Sequence, residues 1–451
     1  MMSRPRRTPD LIGLPLLVCV ILALAASAHL ALPAQEPGPR VLWMWSGSVT
    51  AHSAVVKGRL TQPGAEARLV YGRQPDLVDA GTPPRVAADG LGIAAFAIEG
   101  LQPASQYFYA IEAGGRRSPI GRFRTFRDGP MSFRVAAASC ASTGSRSSVF
   151  STIQALDPNL LIHMGDFHYE NISANDPARF LRAYDDVFES RTQSDLYRNV
   201  PIAYVWDDHD YGPNDADRTS PSRAASRQVY RDAVPHYPLP AGDTTINQAF
   251  TIGRVRFILT DMRSERTPIR APDDDKKSML GPAQRVWLLE ELAAAAARYP
   301  LVVWVSTVPW ITREGDPQDG WQPFARERTM IADHIKRVGL GTRIIMLSGD
   351  AHMSAMDDGT NSNYASDAAP GEPGFVVVHA APFDRWTSFK GGPYSHAVSR
   401  KRGQFATLDV RDDGEVLTVA ITGRSKVPGQ VIAGLQLTVT CQGMSCSVTS
   451  R

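Results

Sequence analysis

Four apolar stretches of this chain end in residues able to bind a metal ion. "FRVAAASC" ends at Cys140 and "NLLIHMGD" at Asp166; "PIAYVWDDHD" runs into Asp207, Asp208, His209 and Asp210, and "RIIMLSGDAH" reaches Asp350 and His352. Any one Gly-Asp is ordinarily a turn, and a lone histidine is ordinarily structural. Together they pose an electrostatic problem, because carboxylates held close together repel and raise one another's pKa. Bound multivalent cations offset such a concentration of charge. The donors divide into two sets. The Cys140 thiolate, the Tyr169 phenolate and the His352 imidazole form a mixed S/O/N set that suits a transition metal, with iron the first candidate. Asp208, Asn214 and Asp350 offer oxygen, which suits Ca²⁺, Mg²⁺ or Mn²⁺, and Asp166 is placed to bridge. Two cations about 3.5–4 Å apart clamp an in-line displacement at phosphorus.

Positioning these residues requires parallel strands whose carboxyl ends share one crevice. From about residue 131, strand-like runs alternate with helical patterns such as "PARFLRAYDDVFES" and "GPAQRVWLLEELAAAAARY", which predicts a layered α/β domain. Residues 40–127 read instead as short alternating strands between Gly and Pro turns, the pattern of a small antiparallel β-sandwich. The tail, "FATLDVRDDGEVLTVAITGRS" and "VIAGLQLTVTC", returns to β hairpins.

The 43% hydrophobic content fits a full-sized core, and a net charge of +2 gives no reason to expect nucleic acid as a partner. At the N-terminus a basic "MMSRPRR" precedes "LIGLPLLVCVILALAA" and Ala26-Ser27-Ala28. This is the layout of a signal peptide over residues 1–28, with no stable membrane span after cleavage and a periplasmic or extracellular destination. Arg6-Arg7 leaves the Sec and Tat routes both open. In an oxidising compartment Cys441 and Cys446 are expected to pair, which leaves Cys140 as the odd thiol of the mature chain.

"SC", "GDFHYEN", "WDDHDYGPND" and "LSGDAHMSA", in this order behind "GLQPASQYFYAIEAGG", resemble the alkaline phosphatase D (PhoD-like) family of metallophosphoesterases, as does "TDMRSER" followed by "LGPAQRVWLLEEL". The resemblance covers roughly residues 40–440. It implies a four-layer α/β-β/α sandwich, 131–441, preceded by a fibronectin-III-like β-sandwich over 40–127. It implies ferric iron on Cys140, Asp166, Tyr169 and His352. A second cation, associated with calcium (Mg²⁺, Mn²⁺ or Zn²⁺ being alternatives), would be held by Asp166, Asp350 and a ligand from the Trp206–His209 segment, a place for which Asn214 competes with Asp208 or joins it. The implied activity is hydrolysis of small phosphate mono- or diesters, with a metal-bridging hydroxide attacking in line. A phosphodiesterase or phospholipase-D-like enzyme with little monoesterase activity is the nearest alternative; a surface-binding protein that keeps its metals only for stability is the more distant one. Two positions depart from the family pattern: Phe167-His168 stands where some relatives place Arg, and Pro213-Asn214 where relatives often carry Asn-Asn.

His209 is the candidate to assist the leaving group, with Asp207 or Asp210 orienting its ring. Arg263 either reaches substrate phosphate or forms a salt bridge with Asp261 or Glu265. His168 either contacts phosphate or packs, and His163, inside a strand, is expected in the core.

Overall fold

The computed structural model describes residues 38–450 apart from 241, 243 and 313–318. The expected signal peptide lies outside the described residues. Among those described, no helix is long and apolar enough to cross a membrane.

Two large sheets face one another. The first has ten strands, in the order Ser445–Ser450, Val431–Gln442, Val416–Ser425, Gln404–Asp412, Phe133–Ala138, Leu160–Met164, Ile202–Val205, Val41–Gly47, Ala54–Leu60 and Ile93–Ile98. The second has seven: Gln248–Ile252, Val255–Leu259, Leu301–Ser306, Ile344–Ser348, Val376–Ala380, Ser354–Asp357 and Val398–Ser399. Period-two patterning sends alternate residues to opposite faces. Leu301, Val303 and Val305 enter the core between the sheets, whereas Val302 and Trp304 enter a second core under the helices Pro282–Arg298 and Ala325–Arg337. Helices Ser148–Ala155, Pro177–Glu189, Arg191–Asn199 and Arg223–Ala233 pack on the first sheet. The α/β-β/α layering is therefore present. Each large apolar side chain buried in these layers contributes about 1.5–3 kcal/mol.

Local signals mark where the helices start. Asp176 caps Pro177–Glu189, its carboxylate accepting from Ala178 N at 3.0 Å, and proline suits the first turn. Trp310 packs against Trp304 and Trp321 in the outer core.

The N-terminal strands make a sandwich, but not a free-standing sheet pair. Glu66–Gly72, Gln106–Ala113 and Gly121–Arg124 belong to a separate small sheet. Their facing strands instead extend the large sheet, with Gly47 registered in parallel against Ile202. This covers what would otherwise be an exposed edge of Ile202–Val205. The tail hairpins extend the opposite side of the same sheet, where Cys441 and Cys446 form a disulfide.

His163 lies in the core. Its ring is fully buried, 5.3 Å from Phe167, 5.1 Å from Phe383 and 5.4 Å from Tyr204, and neither ring nitrogen has a hydrogen-bond partner. Burial pushes its pKa from 6.5 down to about 3. A base whose folded pKa is depressed supports folding fully above its unfolded value, and that support is lost as pH falls through 6.5 towards 3. At about pH 5 the penalty is about 2 kcal/mol. His163→Leu is therefore expected to narrow the stability gap between about pH 8 and about pH 5 by that amount, read by urea unfolding at both pH values. An unchanged gap would mean that His163 does not govern acid sensitivity.

Candidate metal centre at the strand ends

The carboxyl ends of Phe133–Ala138, Leu160–Met164 and Ile202–Val205 lie side by side, and that of Ile344–Ser348 meets them from the second sheet. Two glycines permit the crowding. A Cβ on Gly165 would lie 2.3 Å from Asp207 Cβ, and one on Gly349 would lie 2.9 Å from the Met164 carbonyl oxygen. Cys140, Asp166 and Asp350 each turn sharply at the strand end with left-handed φ of 63°, 56° and 62°. Non-glycine residues seldom adopt that conformation, and it concentrates at functional sites.

The first donor group is compact. Single ligand atoms of Cys140, Asp166 and His352 all lie within 4.8 Å of one another. Tyr169 Oη donates to Asp166 Oδ2 at 2.6 Å and lies 2.9 Å from His352 Nε2. His352 Nδ1 is engaged by the Trp386 carbonyl, which leaves Nε2 as the nitrogen turned to the cluster. Asp166 Oδ1 is buried without a hydrogen-bond partner.

The second group overlaps the first. Asp207, Asp208 and Asp350 form one cluster, and Asp166, Asp208 and His209 another. Asp208 accepts from the backbone N–H groups of His209 and Asp215, at 3.0 and 2.7 Å. Both oxygens of Asp350 accept from Lys390 Nζ, at 2.7 and 2.8 Å. Asn214 is exposed beside this group, on a cleft of about 790 Å³ that Asp215, Asp319 and Lys390 also line.

Burial drives the electrostatics. It pushes the Asp166 carboxyl well above its ordinary value, and Asp208, Asp207 and Asp210 add to the shift. Asp350 is raised by burial despite Lys390, and the Cys140 thiol and Tyr169 phenol are raised by burial and then by Asp166. Burial would raise Asp208 too, but Arg263 and His209 outweigh it and hold the pKa at about 2. Four potential anions are thus pressed towards their neutral forms, a state that bound cations would reverse. The orphaned Asp166 oxygen and the S/O/N donor set fit a transition metal. The neighbouring carboxylates fit a harder ion.

Several residues do work other than that expected of them. Arg263 is fully buried beneath the carboxylates, with Nε 2.5 Å from Asp207 Oδ1 and Nη2 2.8 Å from Asp319 Oδ2. Neither expected salt bridge is made: Asp261 accepts from Trp206 Nε1 and from the backbone of Arg263 and Ser264, and Glu265 pairs with Arg223. That backbone anchor turns the guanidinium inward, a position that does not fit direct contact with a phosphate. His209 is oriented by neither Asp207 nor Asp210. Its Nδ1 lies 2.7 Å from Asn171 Oδ1, and its ring lies 4.1 Å from that of Tyr169, tilted by 38°. Asp210 braces two loops by accepting from the backbone of Phe167, His168 and Asp207 at 2.6, 3.1 and 3.1 Å. His168 is buried beside Phe180 and Tyr184, and Phe167 beneath Trp45 and Tyr197; both pack. Sequence reasoning gave no role to Asn171, although it closes the quoted "GDFHYEN" motif, and missed Asp319, Arg385 and Lys390, which lie outside the quoted motifs. The one available signal was the excess of basic residues between Arg385 and Arg402.

A two-sheet α/β sandwich whose strand ends gather overlapping donor clusters is an architecture suited to holding metal ions. The family model described as PhoD-like phosphatase matches residues 134–380, more than half of the chain, and the chain belongs to that family. Alkaline phosphatase D of Bacillus subtilis (strain 168) is 23% identical over 311 residues, which cover 57% of this chain and 52% of that protein. The match thus spans about half the length of that relative. The solved structure of PhoD superposes with a TM-score of 0.73 at 16% identity, covering 93% of this chain and 94% of that one. Purple acid phosphatase PPD1 from yellow lupin (Lupinus luteus) gives 0.64 at 13%, covering 92% and 78%. Both share the fold.

Proposed function

We propose that this protein hydrolyses small phosphate mono- or diesters at a binuclear centre. The observation that carries the reading is the meeting of Cys140, Asp166, Tyr169 and His352 beside Asp208 and Asp350. In this reading the first four hold iron(III). Asp166, Asp208 and Asp350, with Asn214 at the edge, hold Ca²⁺ or another hard divalent ion. When bound, the two cations supply an activated water and neutralise charge for in-line displacement at phosphorus. His209, fixed by Asn171 and Tyr169, gives a proton to the departing oxygen. Burial lowers its pKa although Asp208 opposes the shift, so the protonated ring is a readier donor. Cys140 is fully buried and belongs to the metal rather than to a covalent intermediate.

The domain reading is residues 1–28 as a signal peptide, 40–127 as the sandwich and 131–441 as the catalytic domain. The Cys441–Cys446 disulfide supports export to an oxidising compartment. The test is elemental analysis of protein purified without chelator, paired with assays on one phosphate monoester and one diester. About one iron per chain and turnover of either ester class are expected. Stoichiometric metal without hydrolysis of either ester would overturn the enzyme reading. Full activity without iron would overturn the Cys140–Tyr169 assignment.

A further inference from the structure

We propose that Arg385 is the cation that receives the phosphate group of the substrate, a specificity-determining residue that no strand-end motif supplies. The inference rests on the hydrolase reading above. The other cations beneath and beside the centre are already committed: Arg263 to Asp207 and Asp319, Arg266 to Asp319, and Lys390 to Asp350. Arg385 is not. Among the described residues it has no hydrogen-bond or ion-pair partner, and its Nε is buried with nothing to donate to. A guanidinium with unmet donors is costly to bury, and its planar fork matches two oxygens of a phosphate.

Its place is fixed from both sides. The Asp384 carboxylate accepts from Ser142 N at 2.7 Å and from Ser145 Oγ, and the Asp384 carbonyl accepts from Arg402 Nε at 2.6 Å. The next residue, Trp386, is tied through its carbonyl to His352 Nδ1, and His352 N donates to Ser388 Oγ at 2.9 Å. Between these clamps the Arg385 guanidinium lies 3.7 Å over the Tyr169 ring, with His209 on that same ring at 4.1 Å. It is close enough to both His209 and His352 that its charge lowers the pKa of each. Arg385 therefore stands at the mouth of the donor cluster. Phe167, at the position following Asp166, is buried among aromatic rings and offers no cation there. The surrounding segment has the matching sign: Arg385, Lys390, Arg400, Lys401 and Arg402 face a single acid, Asp384, which is already hydrogen-bonded.

The test uses the metal-loaded full chain and its Arg385→Ala and Arg385→Lys variants. Three quantities are read for each: metal content, kcat/KM on a phosphate ester, and the affinity for inorganic phosphate by calorimetry. Arg385→Ala is expected to hold wild-type metal, lose about 10²-fold in kcat/KM and bind phosphate at least about tenfold more weakly. Arg385→Lys should recover part of both losses, because it restores charge but not the fork. Unchanged phosphate affinity in Arg385→Ala would overturn the proposal. So would a loss of activity that tracks a loss of metal, since Arg385 would then be only a prop for Tyr169. A wild type that binds phosphate through Arg385 yet hydrolyses no ester would remove the hydrolase reading and leave the binding assignment standing.

Discussion

Asp166→Asn is expected to lower phosphate-ester turnover by at least about 10³-fold while the fold persists. Asp166 is the one carboxylate shared between the two donor groups, and its Oδ1 has no protein partner. The amide keeps the side chain's shape and still accepts from Tyr169 Oη, but it withdraws the charge that both cations need. Asparagine also tolerates the left-handed backbone that φ of 56° imposes here, so no new strain arises. Stability should respond in the opposite sense to activity. Burial, followed by Asp208, Asp207 and Asp210, raises the Asp166 pKa in the metal-free protein. An acid whose folded pKa is raised costs stability progressively as pH rises above its unfolded value. In the presence of chelator at neutral pH, the variant should therefore melt no lower than the wild type. Turnover, metal per chain and Tm together check this. Retained activity would remove Asp166 from the centre, and a collapsed Tm without metal would show that it is a structural residue instead.

Arg263→Met should destabilise the protein by about 3–5 kcal/mol at neutral pH. The substitution fills a similar volume but leaves Asp207 and Asp319 buried without their shared cation. Asp207 already shows the strain: burial raises its pKa to about 6 even with Arg263 beside it. Burial would raise Asp319 as well, but Arg263 and then Arg266 outweigh it and hold the pKa well below the usual carboxylate range. Without Arg263 both carboxyls would be raised. The deficit should therefore shrink as pH falls and they take up protons, a trend that urea unfolding at several pH values would reveal. A variant that unfolds like the wild type but binds phosphate poorly would return Arg263 to the substrate.

Cys140, Asp166, Asp208 and Asp350 were readable because they stand where hydrophobic runs stop, and such a run announces a strand end with something to hold. Their partners were less readable. Asn171 orients His209 from a loop 38 positions away, and Asp207 finds Arg263 56 positions on. Asp319 lies just before the short helix Gln322–Phe324, with no sequence periodicity to mark it. Local pattern cannot choose among carboxylates that lie equally near in sequence, which is why Asp261 and Glu265 were the natural guesses for Arg263. The sandwich was legible strand by strand, but its merger with the large sheet was not. The register of Gly47 against Ile202 is parallel and far apart in sequence.

The order of strands in the large sheet also bears on when the centre can form during synthesis. Phe133–Ala138, which leads into Cys140, is bordered on one side by Gln404–Asp412, and Arg134 meets Asp409 across 275 positions. A nascent chain emerges from its N-terminus, so this central strand waits with one edge unpaired until Gln404–Asp412 has been made. Pairings this distant are also slow to find. Asp350 and His352 arrive on the other sheet only shortly before that edge is closed. The complete donor set, Cys140 and Asp166 beside Asp350 and His352, can therefore exist only once synthesis has passed His352, and its sheet is closed only when Gln404–Asp412 follows.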